Sequence, residues 1–166
     1  MMSYDLMQFL LIRKTHPDWQ KGKLNGIGGK IETVPDKTYP IDPMSSSRTE
    51  TPFEAMIREF HEETGITTTR NRWRCFHIEE FYDASEGTTN KVYFFAAFGD
   101  EAKRQYIGAN NDPLFEVVSS YTLVDLFFTN PEQTIYNIPY LIKMIIDNIR
   151  SKNFKLLNPE GVNSIP

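Results

Sequence analysis

A chain of 166 residues with 40% hydrophobic and 13% aromatic content can bury a substantial core, and residues 1–166 read as a single domain ending in a polar tail over 150–166. The net charge of -4 argues against a duplex nucleic-acid binder, which would show a basic face. The lone cysteine, Cys75, excludes an internal disulfide framework and a multi-cysteine zinc site; with no apolar run of membrane-spanning length and no signal-peptide pattern, a cytoplasmic protein that avoids the membrane is the expectation.

In chain order, Leu6 to Ile12 predicts a buried strand and Thr15 to Lys23 a polar, turn-rich connection. Leu24-Asn25-Gly26-Ile27-Gly28-Gly29-Lys30-Ile31 follows. Its glycines could approach a phosphate, but they lack the G-x-G-x-x-G spacing of a dinucleotide fold. Residues 33 to 49 hold Pro35, Pro40 and Pro43 and end in Ser45-Ser46-Ser47, which predicts an irregular loop.

A helix over 52–64 comes next. Thr51 supplies an N-cap, Pro52 sits at the first helical position where its missing N–H does no harm, and Gly65 supplies the left-handed residue that ends many helices. Phe53, Met56, Ile57 and Phe60 repeat at helical spacing, so the helix is amphipathic and docks through them. Its other face carries Glu59, Glu62 and Glu63, related as i, i+3 and i+4. Like charges so placed cost about 0.2–0.5 kcal/mol per pair, and a hard divalent cation would reverse that sign. Arg58 lies four residues from both Glu54 and Glu62 and can hold a carboxylate in orientation. His61 reads as a surface histidine, and His16 and His77 carry no metal spacing.

Beyond the helix, Arg72 to Tyr82 and Lys91 to Phe98 predict two strands joined through residues 83–90, and Glu116 to Tyr121 a further strand. A second helix is expected over about 135 to 150, with Ile138, Leu141, Ile142, Ile145 and Ile149 on one face and Pro139 near its first turn. Phe94-Phe95 and Phe127-Phe128 read as core. Strands interleaved with two long helices imply a mixed α/β sandwich.

The segment Arg58-Glu59-Phe60-His61-Glu62-Glu63-Thr64-Gly65-Ile66 resembles the second half of the Nudix box, G-x5-E-x7-R-E-U-x-E-E-x-G-U with U a bulky apolar residue, and seven residues separate Glu50 from Arg58 as that pattern asks. Gly28-Gly29-Lys30-Ile31-Glu32 is similar to the opening of the box, but residues 30 to 49 separate Gly29 from Glu50, which makes the box an interrupted one. An insertion there can bulge outward, because closure entropy grows slowly with loop length.

The resemblance implies an α/β/α sandwich with a mixed sheet between helices. It implies hydrolysis of a phosphoanhydride in a nucleoside diphosphate linked to a group X, with Mg²⁺ (Mn²⁺ as a substitute) held by Glu59, Glu62, Glu63 and the Gly29 carbonyl, and with Glu50 paired to Arg58. Glu116 resembles the additional carboxylate that such enzymes place beyond the box, with Asp112 and Glu101 as rivals. Leu24-Asn25-Gly26-Ile27-Gly28-Gly29-Lys30 looks like the W-N-G-x-G-G-K segment of MutT-like members, which puts Asn25, Gly28, Gly29 and Lys30 at the substrate, with Leu24 in place of the tryptophan. A nucleoside triphosphate pyrophosphohydrolase ranks first. An ADP-ribose or nucleotide-sugar pyrophosphatase ranks second, and a non-catalytic nucleotide-sensing domain is a third reading. The expected partner is a small nucleotide, and a homodimer is left open.

Overall fold

The computed structural model describes residues 1–3, 8–35, 47–100, 117–122, 125 and 131–151. Seven strands and two α-helices occur among them: β1 (Gln8–Arg13), β2 (Leu24–Asn25), β3 (Thr33–Pro35), β4 (Ser47–Thr49), α1 (Pro52–Thr64), β5 (Trp73–Asp83), β6 (Thr88–Ala97), β7 (Val117–Thr122) and α2 (Ile138–Arg150). β1 lies between β2 and β7, antiparallel to both, with Phe9 opposite Tyr121 and Ile12 opposite Asn25. β5 and β6 form a long antiparallel hairpin with an irregularity between Cys75 and His77. Met2 links the two sheets: its N–H donates to the Ala97 carbonyl at 2.8 Å and its own carbonyl accepts from the Gly99 N–H at 2.9 Å.

The alternation of side chains along β1 explains the layering. Successive residues of a strand point to opposite faces. Phe9 and Leu11 join a core with Phe76, Ala96 and the α2 residues Ile138, Leu141, Ile142 and Ile145. Leu10 and Ile12 join a second core with Phe53 and Phe60 of α1, Trp73 and Ala97. The sheet is therefore buried on both faces, one helix on each, which is why Phe9 to Ile12 reads as an unbroken apolar run. The expected α/β sandwich is the observed architecture.

Helix α1 begins and ends where the sequence predicts. Thr51 accepts from the Glu54 N–H at 3.3 Å while the Glu54 carboxylate accepts from the Thr51 N–H at 2.7 Å, a reciprocal capping box. Gly65 closes the helix at φ 70°. Its apolar face docks through edge-on aromatic pairs, Phe53 with Phe95 at 4.9 Å and Phe60 with Trp73 at 5.0 Å between ring centres. Each pair contributes about 0.5–1.5 kcal/mol beyond the area it buries.

The inserted segment departs from the expectation of an irregular loop. Its two ends are the paired strands β3 and β4, with Thr33 opposite Thr49, Val34 opposite Arg48 and Pro35 opposite Ser47. Pro35 ends its strand, a position where the lost N–H costs the ladder least. Residues 36–46 lie outside the described part of the chain, as do Leu6, Met7 and the Phe127-Phe128 pair. Phe94 and Phe95 are partly buried against the two cores, as expected. Cys75 is buried, and burial pushes its thiol up to about 11, so it stays protonated and inert near neutrality. No helix among the described residues is long and apolar enough to cross a membrane.

Candidate active site

Helix α1 turns its acidic face toward the glycine loop that follows β2. A Cβ built on Gly29 would lie 2.1 Å from Glu59 Oε1 and 2.6 Å from Oε2, so only glycine lets the loop backbone rest against this carboxylate. One residue earlier, the Gly28 N–H donates to Glu63 Oε2 at 3.2 Å. Lys14, just past the end of β1, places its ammonium 3.5 Å from Glu63 Oε1. Glu59 and Glu63 are thus mostly covered, at 15% and 16% side-chain exposure, whereas Glu62 is 55% exposed.

Arg58 ties the interrupted segments together. Its Nη2 donates to Glu50 Oε1 at 2.7 Å and to the Lys30 carbonyl at 2.9 Å, and its Nε reaches Glu50 Oε2 at 3.3 Å. Its Nη1 donates to Glu59 Oε1 at 2.9 Å and to Glu62 Oε2 at 3.0 Å. Glu50, with a side chain only 3% exposed, also accepts from the Glu32 N–H at 3.0 Å, while its own N–H donates to the Glu32 carbonyl at 2.9 Å. The β3–β4 ribbon continues through this Glu32–Glu50 pair, so the glycine loop and Glu50 meet although they are far apart in sequence. The Arg58 hydrogen bonds hold the Glu50 carboxyl below its usual range, against the opposing effect of burial. The guanidinium is in turn raised by Glu50.

One of the two carboxylates within reach of Arg58 has another partner. Arg58 holds Glu62, but Glu54 is engaged by Arg48, whose Nη1 and Nη2 donate to its two oxygens at 2.8 and 2.7 Å. These bonds, together with those from Thr51, bring the Glu54 carboxyl down to about 2. Glu54 therefore fastens the ribbon to the start of α1. Asn25 lies beside the loop, where its Nδ2 donates to Gln20 Oε1 at 3.0 Å and its Oδ1 accepts from the Gly26 N–H at 2.7 Å.

Glu50, Arg58, Glu59, Glu62, Glu63, Gly28, Gly29 and Lys30 are brought together; the Lys30 side chain is exposed and its carbonyl makes the Arg58 contact. Glu116, Asp112 and Glu101 lie outside the described residues. Among those described, no three acidic, histidine or cysteine side chains converge closely enough to grip a metal ion. Each carboxylate faces its own donor, Arg58 for Glu59 and Glu62, Lys14 and Gly28 for Glu63. The available donors are nonetheless hard oxygens on one helix face, with a loop backbone seated against them by the absence of a Cβ at Gly29, which suits a cation such as Mg²⁺. Lys14 was invisible to motif reasoning, since no spacing rule links it to Glu63.

The same contact yields a prediction. Gly29→Ala must push the Glu59 carboxylate aside, which is cheap for the fold because that carboxylate is the end of a flexible side chain. Its thermal midpoint should stay close to that of the parent while kcat falls about tenfold, the scale on which groups that support a metal ligand act. Unchanged kcat with the alanine in place would show that the close approach of loop and carboxylate is dispensable.

A cavity of about 840 Å³ opens beside this cluster, and its lining includes Gly28, Gly29 and Glu59 together with residues of the β5–β6 hairpin. Its volume is in the range of small-molecule sites. The protein family described as NUDIX domain matches residues 4–138, most of the chain. No curated protein and no solved structure matches.

Proposed function

As the chain belongs to the Nudix hydrolase family, whose members cleave pyrophosphate bonds in nucleoside diphosphate derivatives, we propose that its substrate is a nucleoside triphosphate, cut to the nucleoside monophosphate and pyrophosphate. The observation that carries this reading is the seating of Gly28 and Gly29 against Glu63 and Glu59 beside the cavity. The likeness of the Leu24 to Lys30 segment to that of MutT-like members supports the triphosphate as substrate.

Nudix hydrolases work with divalent metal ions, and in this chain Glu59, Glu62, Glu63 and the Gly29 carbonyl would hold Mg²⁺. That cation supplies charge neutralisation to the diphosphate and Lewis acidity to the attacking water. The chain's own residues do the rest. Arg58 bridges Glu59 and Glu62 through Nη1 and so orients both, and it is itself fixed by Glu50 and the Lys30 carbonyl. Lys14 adds a positive charge next to Glu63, favourable to a polyanionic substrate. The oxygen of water bonds to phosphorus, the bridging P–O bond breaks, pyrophosphate departs, and a carboxylate accepts the proton from water. We assign that base to Glu116, on its resemblance to the extra carboxylate of the family. No covalent link to the protein is required.

Incubation of the protein and Mg²⁺ with ribo- and deoxyribonucleoside triphosphates and with ADP-ribose, followed by separation of the products, tests this reading. Monophosphate and pyrophosphate in equal amounts are expected from a triphosphate. AMP and ribose 5-phosphate from ADP-ribose, with the triphosphates intact, would move the substrate to a sugar-linked diphosphate. Orthophosphate and a nucleoside diphosphate would mean that a different bond is cut.

A further inference from the structure

The cavity lining includes a pair of side chains that the diphosphate chemistry does not use. Phe81 of β5 and Asn90 of β6 are direct cross-strand partners, so they stand side by side on one face of the hairpin. Both line the cavity, with Val92 next along the same face. Phe81 is 45% exposed, although the hairpin has a buried end that a phenylalanine could have occupied. Exposing an aromatic ring in a concave wall forgoes burial free energy that a flat, apolar ligand would restore. The Asn90 side-chain amide is half-buried and makes no hydrogen bond among the described residues. Asn25, by contrast, uses its amide on Gln20, ahead of β2, and on the Gly26 N–H.

We propose that Phe81 and Asn90 form a nucleobase-recognition wall: Phe81 stacks against the base, and the Asn90 amide, one donor and one acceptor, reads a purine edge that presents an adjacent acceptor and donor. Adenine offers that arrangement at N7 and N6, the edge an asparagine amide pairs with in two bonds. The ring makes the site tolerant of any base and the amide makes it selective. The inference rests on the acidic cluster being the diphosphate site, since the hairpin residues line the same cavity and are then within the space open to the rest of the nucleotide. It transfers base recognition from Asn25, which shapes the glycine loop, to a residue on the hairpin.

The test is an equilibrium one and needs no turnover. AMP, GMP and ribose 5-phosphate are titrated into the protein by calorimetry, with the parent, Phe81→Ala, Phe81→Leu and Asn90→Ala compared. The parent should bind the purine monophosphates about tenfold or more tighter than ribose 5-phosphate, the scale of base stacking on an aromatic side chain. Phe81→Ala should erase that advantage and Phe81→Leu should restore only part of it. Asn90→Ala should keep the advantage but level AMP against GMP. Monophosphates that bind the parent no tighter than ribose 5-phosphate, or a Phe81→Ala protein that keeps the parent's preference, would overturn the proposal. If base binding behaves as expected while no nucleotide is cleaved, the hydrolytic reading fails and the recognition wall stands. If triphosphates are cleaved and Phe81→Ala leaves KM untouched, the reverse holds.

Discussion

Glu63→Gln is expected to lower kcat about a hundredfold or more while the protein keeps its fold. The glutamine retains an acceptor oxygen, so the Gly28 N–H that now donates to Glu63 Oε2 at 3.2 Å can keep a partner. What disappears is the negative charge. It faces Lys14 at 3.5 Å and lies on the same helix face as Glu59. Removing groups that merely support a metal ligand costs about 10–100-fold, so a ligand itself should exceed the upper end of that range. The helix should not suffer, because one like-charge pair at i, i+4 spacing is relieved. Steady-state kinetics across a Mg²⁺ titration checks this. A variant that matches the parent at saturating Mg²⁺ would remove Glu63 from the metal site.

Arg58→Ala should be strongly destabilising. It leaves the Glu50 carboxylate, 3% exposed, without the guanidinium that contacts both its oxygens. Breaking a buried ion pair from one side costs about 3–5 kcal/mol, because the remaining charge is desolvated and unpaired. The sign of the pH dependence follows from Glu50. In the parent its folded pKa is depressed, chiefly by the Arg58 hydrogen bond, so it contributes stability that is present above the unfolded carboxylate pKa and lost as pH falls through the folded value. In Arg58→Ala the main depressing cause is gone and burial raises the folded pKa instead, so the buried group can be relieved by taking a proton. The deficit relative to the parent should therefore be largest near neutrality and shrink as the solution is acidified through the carboxylate range. Urea denaturation of both proteins at about pH 7 and about pH 5 reads this directly. A deficit that stays the same at both would mean that Arg58 stabilises through packing of its stem and not through the Glu50 charge.

The parts of the fold legible in the sequence are those set by local chemistry. Thr51, Pro52 and Gly65 act on the backbone within one turn of themselves, so both ends of α1 could be placed without knowing what it packs against. The apolar run into Ile12 and the Ile138 to Ile149 periodicity likewise announce a doubly buried strand and a one-sided helix. The pairing of β3 with β4 was hidden. Its strands are three residues each, carry a proline and have no apolar alternation, and their partnership depends on contacts made across the insertion. The same limit applied to charge. Spacing allowed Arg58 to hold Glu54, but Arg48 arrives on the ribbon and takes it, and no pattern within the helix could show that competitor. Gly29 was picked out for its carbonyl, while its lack of a side chain turned out to bring the loop against Glu59.

The Glu32–Glu50 seam has a consequence for what this protein can carry. Because two backbone-linked residues and a three-pair ribbon close the insertion at its root, the geometry of the cluster is independent of how many residues lie between Pro35 and Ser47. Lengthening that stretch adds only a slowly growing entropic cost, about 0.6 kcal/mol for each doubling. Evolution can thus treat the position as a cargo bay, trading one inserted sequence for another without retuning the hydrolytic machinery. A protein engineer can do the same and seat a reporter module at this root.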